Sequence, residues 1–174
     1  LKNILEYILF VSLSFSFRLV GLKTARKFSS VITFIFFYLI PIRKKVTIDN
    51  LQHAFPDYSE AGIKNLAYKC YKNFCITLIE ILYMPWLSRD ELKNVLTCPN
   101  LDLITKRYEE GNGVILLSAH FSNWEYLAVS VALQINKKLS IIVKSQRNPY
   151  VNNWMNKMRT KWTNEVVPLG VSIR

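Results

Sequence analysis

Acidic residues are scarce in this chain. Asp and Glu number 12 against 23 Lys and Arg, and the 174 residues carry a formal charge of +11. Glycine is scarcer still, at five, and no phosphate-cradling glycine loop occurs, which argues against nucleotide chemistry. There is no G-x-S-x-G elbow, so a covalent serine triad has no support. The three cysteines, Cys70, Cys75 and Cys98, stand at neither metal nor redox spacing. They read as reduced, mostly core thiols of a cytosol-facing protein, and no metal is expected. Internal repeats and low-complexity tracts are missing as well.

What is present is apolar: 51% of the residues, in a strongly basic chain. A disordered basic tail would lack the apolar residues, and a plain cytosolic enzyme is seldom so basic. The combination points to an anionic partner, which could be a membrane surface, a nucleic acid or an acidic carrier. The length suits one domain with a real core.

The first 45 residues stand apart. "ILEYILFVSLSFSF" (4–17) and "FSSVITFIFFYLI" (28–40) are apolar and aromatic, and each is shorter than the roughly 20 residues of a spanning helix. A signal peptide fits poorly, since no small-residue cleavage site follows. Lys2, Arg18, Lys23, Arg26, Lys27, Arg43, Lys44 and Lys45 face Glu6 alone, so this quarter of the chain holds the larger part of the net charge. Basic flanks on apolar helices favour the anionic cytoplasmic leaflet. Residues 1–45 are therefore read as a membrane-anchoring helical segment, spanning or interfacial. The competing reading is a pair of core helices with solvated basic ends.

From residue 46 the chain reads as mixed α/β. "TIDNLQHAFPDYS" (47–59) holds a Pro-Asp turn, with Ser59 as the N-cap of a long helix over 60–84 that Pro85 ends. Glu80 sits near its end among Ile79, Ile81 and Leu82; such a carboxylate normally faces solvent, the alternative being burial with a partner. "SRDE" (88–91) is a capping box, and Asn100 caps a helix that stops at Gly111 and Gly113. "VILLS" (114–118) is a continuous apolar run, as in a strand buried on both faces. A helix over 123–135, a strand over 139–145, a helix over 149–163 opened by Asn148 and Pro149, and a strand over 165–169 follow. The pattern predicts a mostly parallel sheet with flanking helices.

Ligand sites in such sheets form at the carboxyl ends of strands. His120 lies two residues past the predicted strand, at the mouth of a helix, and Glu125 follows in that helix's first turn. Imidazole is the usual general base for a hydroxyl, and a carboxylate can steady the imidazolium. Two structural alternatives stand beside this. Ser122 and Glu125 also spell a capping box, S-N-W-E, and His120 could be a satisfied loop histidine. Trp124 could line a site or simply pack the helix.

"GNGVILLSAHFSNWE" (111–125) resembles the signature of the late acyltransferases of lipid A biosynthesis, the lauroyl and myristoyl transferases, whose hallmark is His, four residues, then an acid. "NLQHAFPDYS" (50–59), Glu80 and "RNPYVNNWMNKMR" (147–159), which ends on Arg159, resemble further stretches of the family in order. The resemblance implies a glycerolipid acyltransferase-like fold of which residues 46–174 are the N-terminal part, the C-terminal part being missing from an expected fragment. It implies acyl transfer from an acyl thioester to a hydroxyl of a lipid A precursor, with His120 as base and Glu125 stabilising the imidazolium. Arg159 is the candidate oxyanion donor, with backbone N–H groups near Ser122–Trp124 as the alternative. Asn123 and Trp124 line the site. No cofactor is implied, the acyl-carrier protein or acyl-CoA being a substrate, and the inner membrane's cytoplasmic face is the expected location. Other readings are acylation of another glycolipid or lysophospholipid, or a non-catalytic peripheral membrane protein of the same fold. Nucleic-acid binding ranks last, because the basic density sits beside apolar helices rather than among exposed aromatics.

Overall fold

A computed structural model describes residues 1–162 and 164–170. It is mostly helical, with a small parallel sheet, and divides into two compact units: Leu1–Phe15 with Ile81–Arg174, and Ser16–Glu80. The α/β reading therefore holds, with the sheet smaller than the sequence suggested.

The second unit is helical. It takes in the end of α1 (Lys2–Val20), then α2 (Leu22–Lys27), α3 (Ser29–Phe34), α4 (Lys44–Ala54) and most of α5 (Glu60–Tyr83). The apolar run 28–40 is not one continuous α-helix: after α3 it widens into a π-helical turn, Ile35–Leu39, closed by the Ile40 N–H on the Ile35 carbonyl at 2.8 Å. That turn drives Phe37 fully inside, edge-on to Tyr68 and Tyr71 with centroids 5.3 and 5.2 Å away. Lys44 donates to the Phe37 carbonyl and lies over its ring. Ser59 accepts the Gly62 N–H, as its capping role predicts. Burial pushes the Cys75 thiol up from its ordinary pKa, a hydrogen bond with Thr33 partly offsetting this.

Glu80 departs from the solvent-facing expectation. It is buried, and Arg26 grips its Oε1 through Nε at 2.8 Å and Nη2 at 2.6 Å. Burial of a carboxylate is tolerated here because a guanidinium is brought to it from another helix.

In the first unit, Pro85 ends α5 as expected, inside a 3₁₀ turn (Met84–Trp86). Ser88 and Glu91 form both halves of the capping box of α6 (Arg89–Asn94), and the Ser88 backbone N–H holds the Glu91 carboxyl below the usual range. α7 (Leu101–Glu109) starts at Asn100, although the Asn100 side chain makes no cap bond, and ends where Gly111 and Gly113 take positive φ. α8 (Trp124–Ile135), β1 (Ser140–Val143), α9 (Pro149–Thr160) and β2 (Glu165–Pro168) complete the unit. β1 and β2 pair in parallel with Ser140 opposite Glu165, and the Leu169 N–H extends the ladder to the Val143 carbonyl. The core is Ile81, Met84, Leu87, Leu92, Tyr126, Val129, Leu133, Met155 and Met158, drawn from the end of α5, the 3₁₀ turn and the residue after it, α6, α8 and α9. The predicted end of α9 at 163 lies outside the described residues; the helix stops at Thr160.

The predicted strand at 114–118 is not formed. The segment has no regular secondary structure and is exposed, with Ile115 at 97% and Leu117 at 98%. An apolar run becomes a buried strand only where neighbours offer a hydrogen-bonding ladder. Here β1 and β2 pair with each other, and no ladder among the described residues reaches 114–118.

Candidate active site

His120 lies in the exposed segment that leads into α8. Its ring packs against the Trp124 indole, centroids 4.8 Å apart and planes tilted by 51°. The chain turns tightly here, the Phe121 N–H bonding the Ala119 carbonyl at 2.9 Å. Ser122 then takes a left-handed conformation, φ 50°. The cap of α8 is Asn123, whose Oδ1 accepts the Tyr126 N–H at 3.0 Å.

This one-residue shift settles the alternative raised by S-N-W-E. With Asn123 as the cap, Glu125 occupies the second helical position, not the third, so the reciprocal box with Ser122 does not describe it. The Glu125 carboxylate instead turns into the unit and meets Arg159 of α9. Nε donates to Oε2 at 2.8 Å and Nη2 to Oε1 at 2.5 Å, a two-pronged pair with both residues buried. Nη1 of Arg159 donates to Asn156 Oδ1 at 3.2 Å, which holds the guanidinium plane from the far side. Among the described residues, Glu125 makes no hydrogen bond or ion pair with His120. The structure thus brings Glu125, Arg159 and Asn123 together around the start of α8, with Trp124 packed against the core and His120 stacked outside it.

The chemical capacity of this arrangement follows from its donors and acceptors. A carboxylate has about four lone-pair sites, and Arg159 occupies two of them. A guanidinium has about five N–H donors, of which Glu125 and Asn156 take three. Acceptor and donor capacity therefore remains on this pair at the start of α8, the positive end of a helix dipole.

Sequence reasoning missed two supports. Asn156 has no signal beyond lying three residues before Arg159. Asn148 was read only as a cap, a role it fills by accepting the Tyr150 and Val151 N–H groups. Its amide also donates to the Asn3 carbonyl at 2.8 Å and to Glu6 Oε2 at 3.0 Å, tying α9 to the start of α1. The signal was available: Glu6 is the one acid in a long apolar stretch and needed a polar partner. Replacing Asn148 with alanine should lower unfolding stability by about 1–2 kcal/mol, the cost of a lost cap and a lost donor. Asn148→Asp should keep the cap but not the tie, and thermal melts of both in detergent would separate the two contributions.

Among models of known families, the one described as "Bacterial lipid A biosynthesis acyltransferase" matches residues 2–174. No curated protein and no solved structure matches the chain.

Proposed function

The chain belongs to the bacterial lipid A biosynthesis acyltransferase family and is an acyltransferase, and from that premise we propose how its residues carry out the transfer. The acceptor is a hydroxyl of a lipid A precursor, and the donor is the thioester of an acyl-carrier protein or coenzyme A. The acceptor hydroxyl gives its proton to His120, and its oxygen attacks the thioester carbonyl. The negative oxygen of the tetrahedral intermediate takes donors from Arg159 or from the first-turn N–H groups of α8. Collapse breaks the carbon–sulfur bond, and the departing thiolate takes the proton back from the imidazolium. Glu125 holds Arg159 in place and offers its remaining lone pairs to the imidazolium once the ring swings off Trp124. Catalytic hydrogen bonds commonly tighten only when substrate is bound. Ser122, Asn123 and Trp124 shape the mouth of the site.

One observation carries this reading. The only histidine after His53 stands at the mouth of α8, five residues before Glu125, whose carboxylate is paired with Arg159, in a chain matched to the family over nearly its whole length. The test uses membranes containing the full-length protein, a labelled acyl donor, and mass spectrometry of the lipids. A product one acyl chain heavier than the lipid A precursor supports the reading. An acylated lysophospholipid or other glycolipid in its place would move the acceptor class, and no acyl transfer to any lipid would leave a non-catalytic membrane protein.

Residues 1–45 are proposed to hold the protein on the cytoplasmic face of the inner membrane. α1 is long and apolar enough to cross a membrane by length and composition, and basic residues flank it. Each basic residue near an anionic leaflet contributes about 1 kcal/mol, and buried apolar surface contributes more. The protein should float with vesicles in both low and high salt and be released by detergent. Release by salt alone would make the attachment purely electrostatic.

A further inference from the structure

We propose that residues 2–15 of α1 lie in the plane of the membrane, sunk to one side in a single leaflet, and do not cross it. The proposal rests on the membrane attachment put forward above and concerns only its geometry.

The two faces of this helix differ in what they meet. One face is bound to its own unit. Asn3 and Glu6 receive the Asn148 amide, Tyr7 lies against Tyr150 with centroids 5.8 Å apart, and Phe10 meets Trp154 edge-on at 4.9 Å. One turn further, the buried Ser14 hydroxyl donates to the Leu82 carbonyl at 2.6 Å, and the Trp86 indole N–H donates back to Ser14 at 3.0 Å. Positions 3, 7, 10 and 14 form one stripe at helical spacing. The opposite stripe is apolar and open: Ile4, Leu5, Ile8, Leu9 and Leu13 are between 41% and 71% exposed. A helix that is apolar on its outer face while its inner face is already packed needs a second apolar medium on one side only.

A spanning orientation conflicts with the inner stripe. The contacts from Asn3 to Ser14 cover about 16 Å of helix axis, more than half of a hydrocarbon core of about 30 Å. If α1 stood upright, the elements gripping it would stand in the hydrocarbon beside it. α9 cannot do so, since its surface carries the exposed Asn153 and Lys157 and the partly exposed Asn152 and Asn156. Burial of those groups in lipid would cost far more than the apolar face of α1 returns. Lying flat removes the conflict: the outer stripe enters the acyl region while α9 stays above it. Charge agrees, because Lys2 and the exposed Arg147, next to Asn148, would sit at the rim where anionic headgroups lie.

The experiment places bimane on single cysteines, Leu5→Cys, Leu9→Cys and Leu13→Cys, in the full chain carrying Cys70→Ser and Cys98→Ser. Cys75, 1% exposed, is left in place. The protein is bound to phosphatidylethanolamine–phosphatidylglycerol vesicles containing lipids spin-labelled near the headgroup or deep in the acyl chain. The expected result is one shallow depth shared by all three positions, with the shallow label the stronger quencher at each. A depth that changes by about 12 Å from position 5 to position 13 would overturn the in-plane geometry and leave membrane attachment standing. Quenching by neither label would overturn both.

Discussion

His120→Ala is expected to lower turnover by about 10²–10⁴-fold, the usual loss when a general base is removed, with the melting temperature almost unchanged. The second half of this expectation follows from where the side chain stands. The segment that carries it is exposed throughout, and among the described residues its ring makes one aromatic contact, with Trp124. Removing that contact forfeits about 0.5–1.5 kcal/mol at most. A loss of rate without a loss of fold therefore isolates chemistry from packing. Acyl transfer to the lipid, followed by mass spectrometry beside a thermal melt, makes the comparison. Near wild-type turnover in a folded variant would remove His120 from the mechanism.

The Glu125–Arg159 pair should show the largest effect on stability. Breaking a buried, doubly hydrogen-bonded pair from one side leaves the other charge stranded, at a cost of about 3–5 kcal/mol. Glu125→Gln should thus be costly, although glutamine would be harmless if the residue only capped α8. Arg159→Met should be similarly costly. The double variant Glu125→Leu/Arg159→Met should recover much of the stability, since apolar replacement of both partners strands no charge. Its activity should not recover, because neither an oxyanion donor nor an imidazolium partner returns. Denaturant unfolding and acyl transfer, measured on the three variants, test the two statements separately. Restored activity in the double variant would make the pair purely structural.

Local chemistry was readable without coordinates. Ser88 with Glu91, Asn148 before Pro149 and Pro85 after the long apolar helix each write an element boundary within a turn of sequence, and the structure has those boundaries. The strand–helix–strand order at 139–169 also pointed to the parallel pairing, because a single helix running back along the sheet returns the chain to the end where the first strand began. The order of four motifs identified the family. The cap of α8 shows the limit of such signals: Ser122 and Asn123 both suit a cap, and the left-handed turn at Ser122 makes it Asn123.

Packing decided the rest. Glu125 and Arg159 are 34 positions apart, and Arg26 and Glu80 are 54 apart. Nothing in the spacing of either pair states that two helices bring them together, and a short-range reading sent Glu80 to solvent and offered Glu125 to Ser122. The same holds for apolar runs. "VILLS" and α1 look alike in composition, yet one face of α1 finds Tyr150, Trp154 and Trp86, while 114–118 stays exposed. Hydrophobicity records that a segment gains by leaving water. It carries no direction, so only the arrangement of the remaining chain determines whether a helix, a neighbouring strand or a lipid surface receives it.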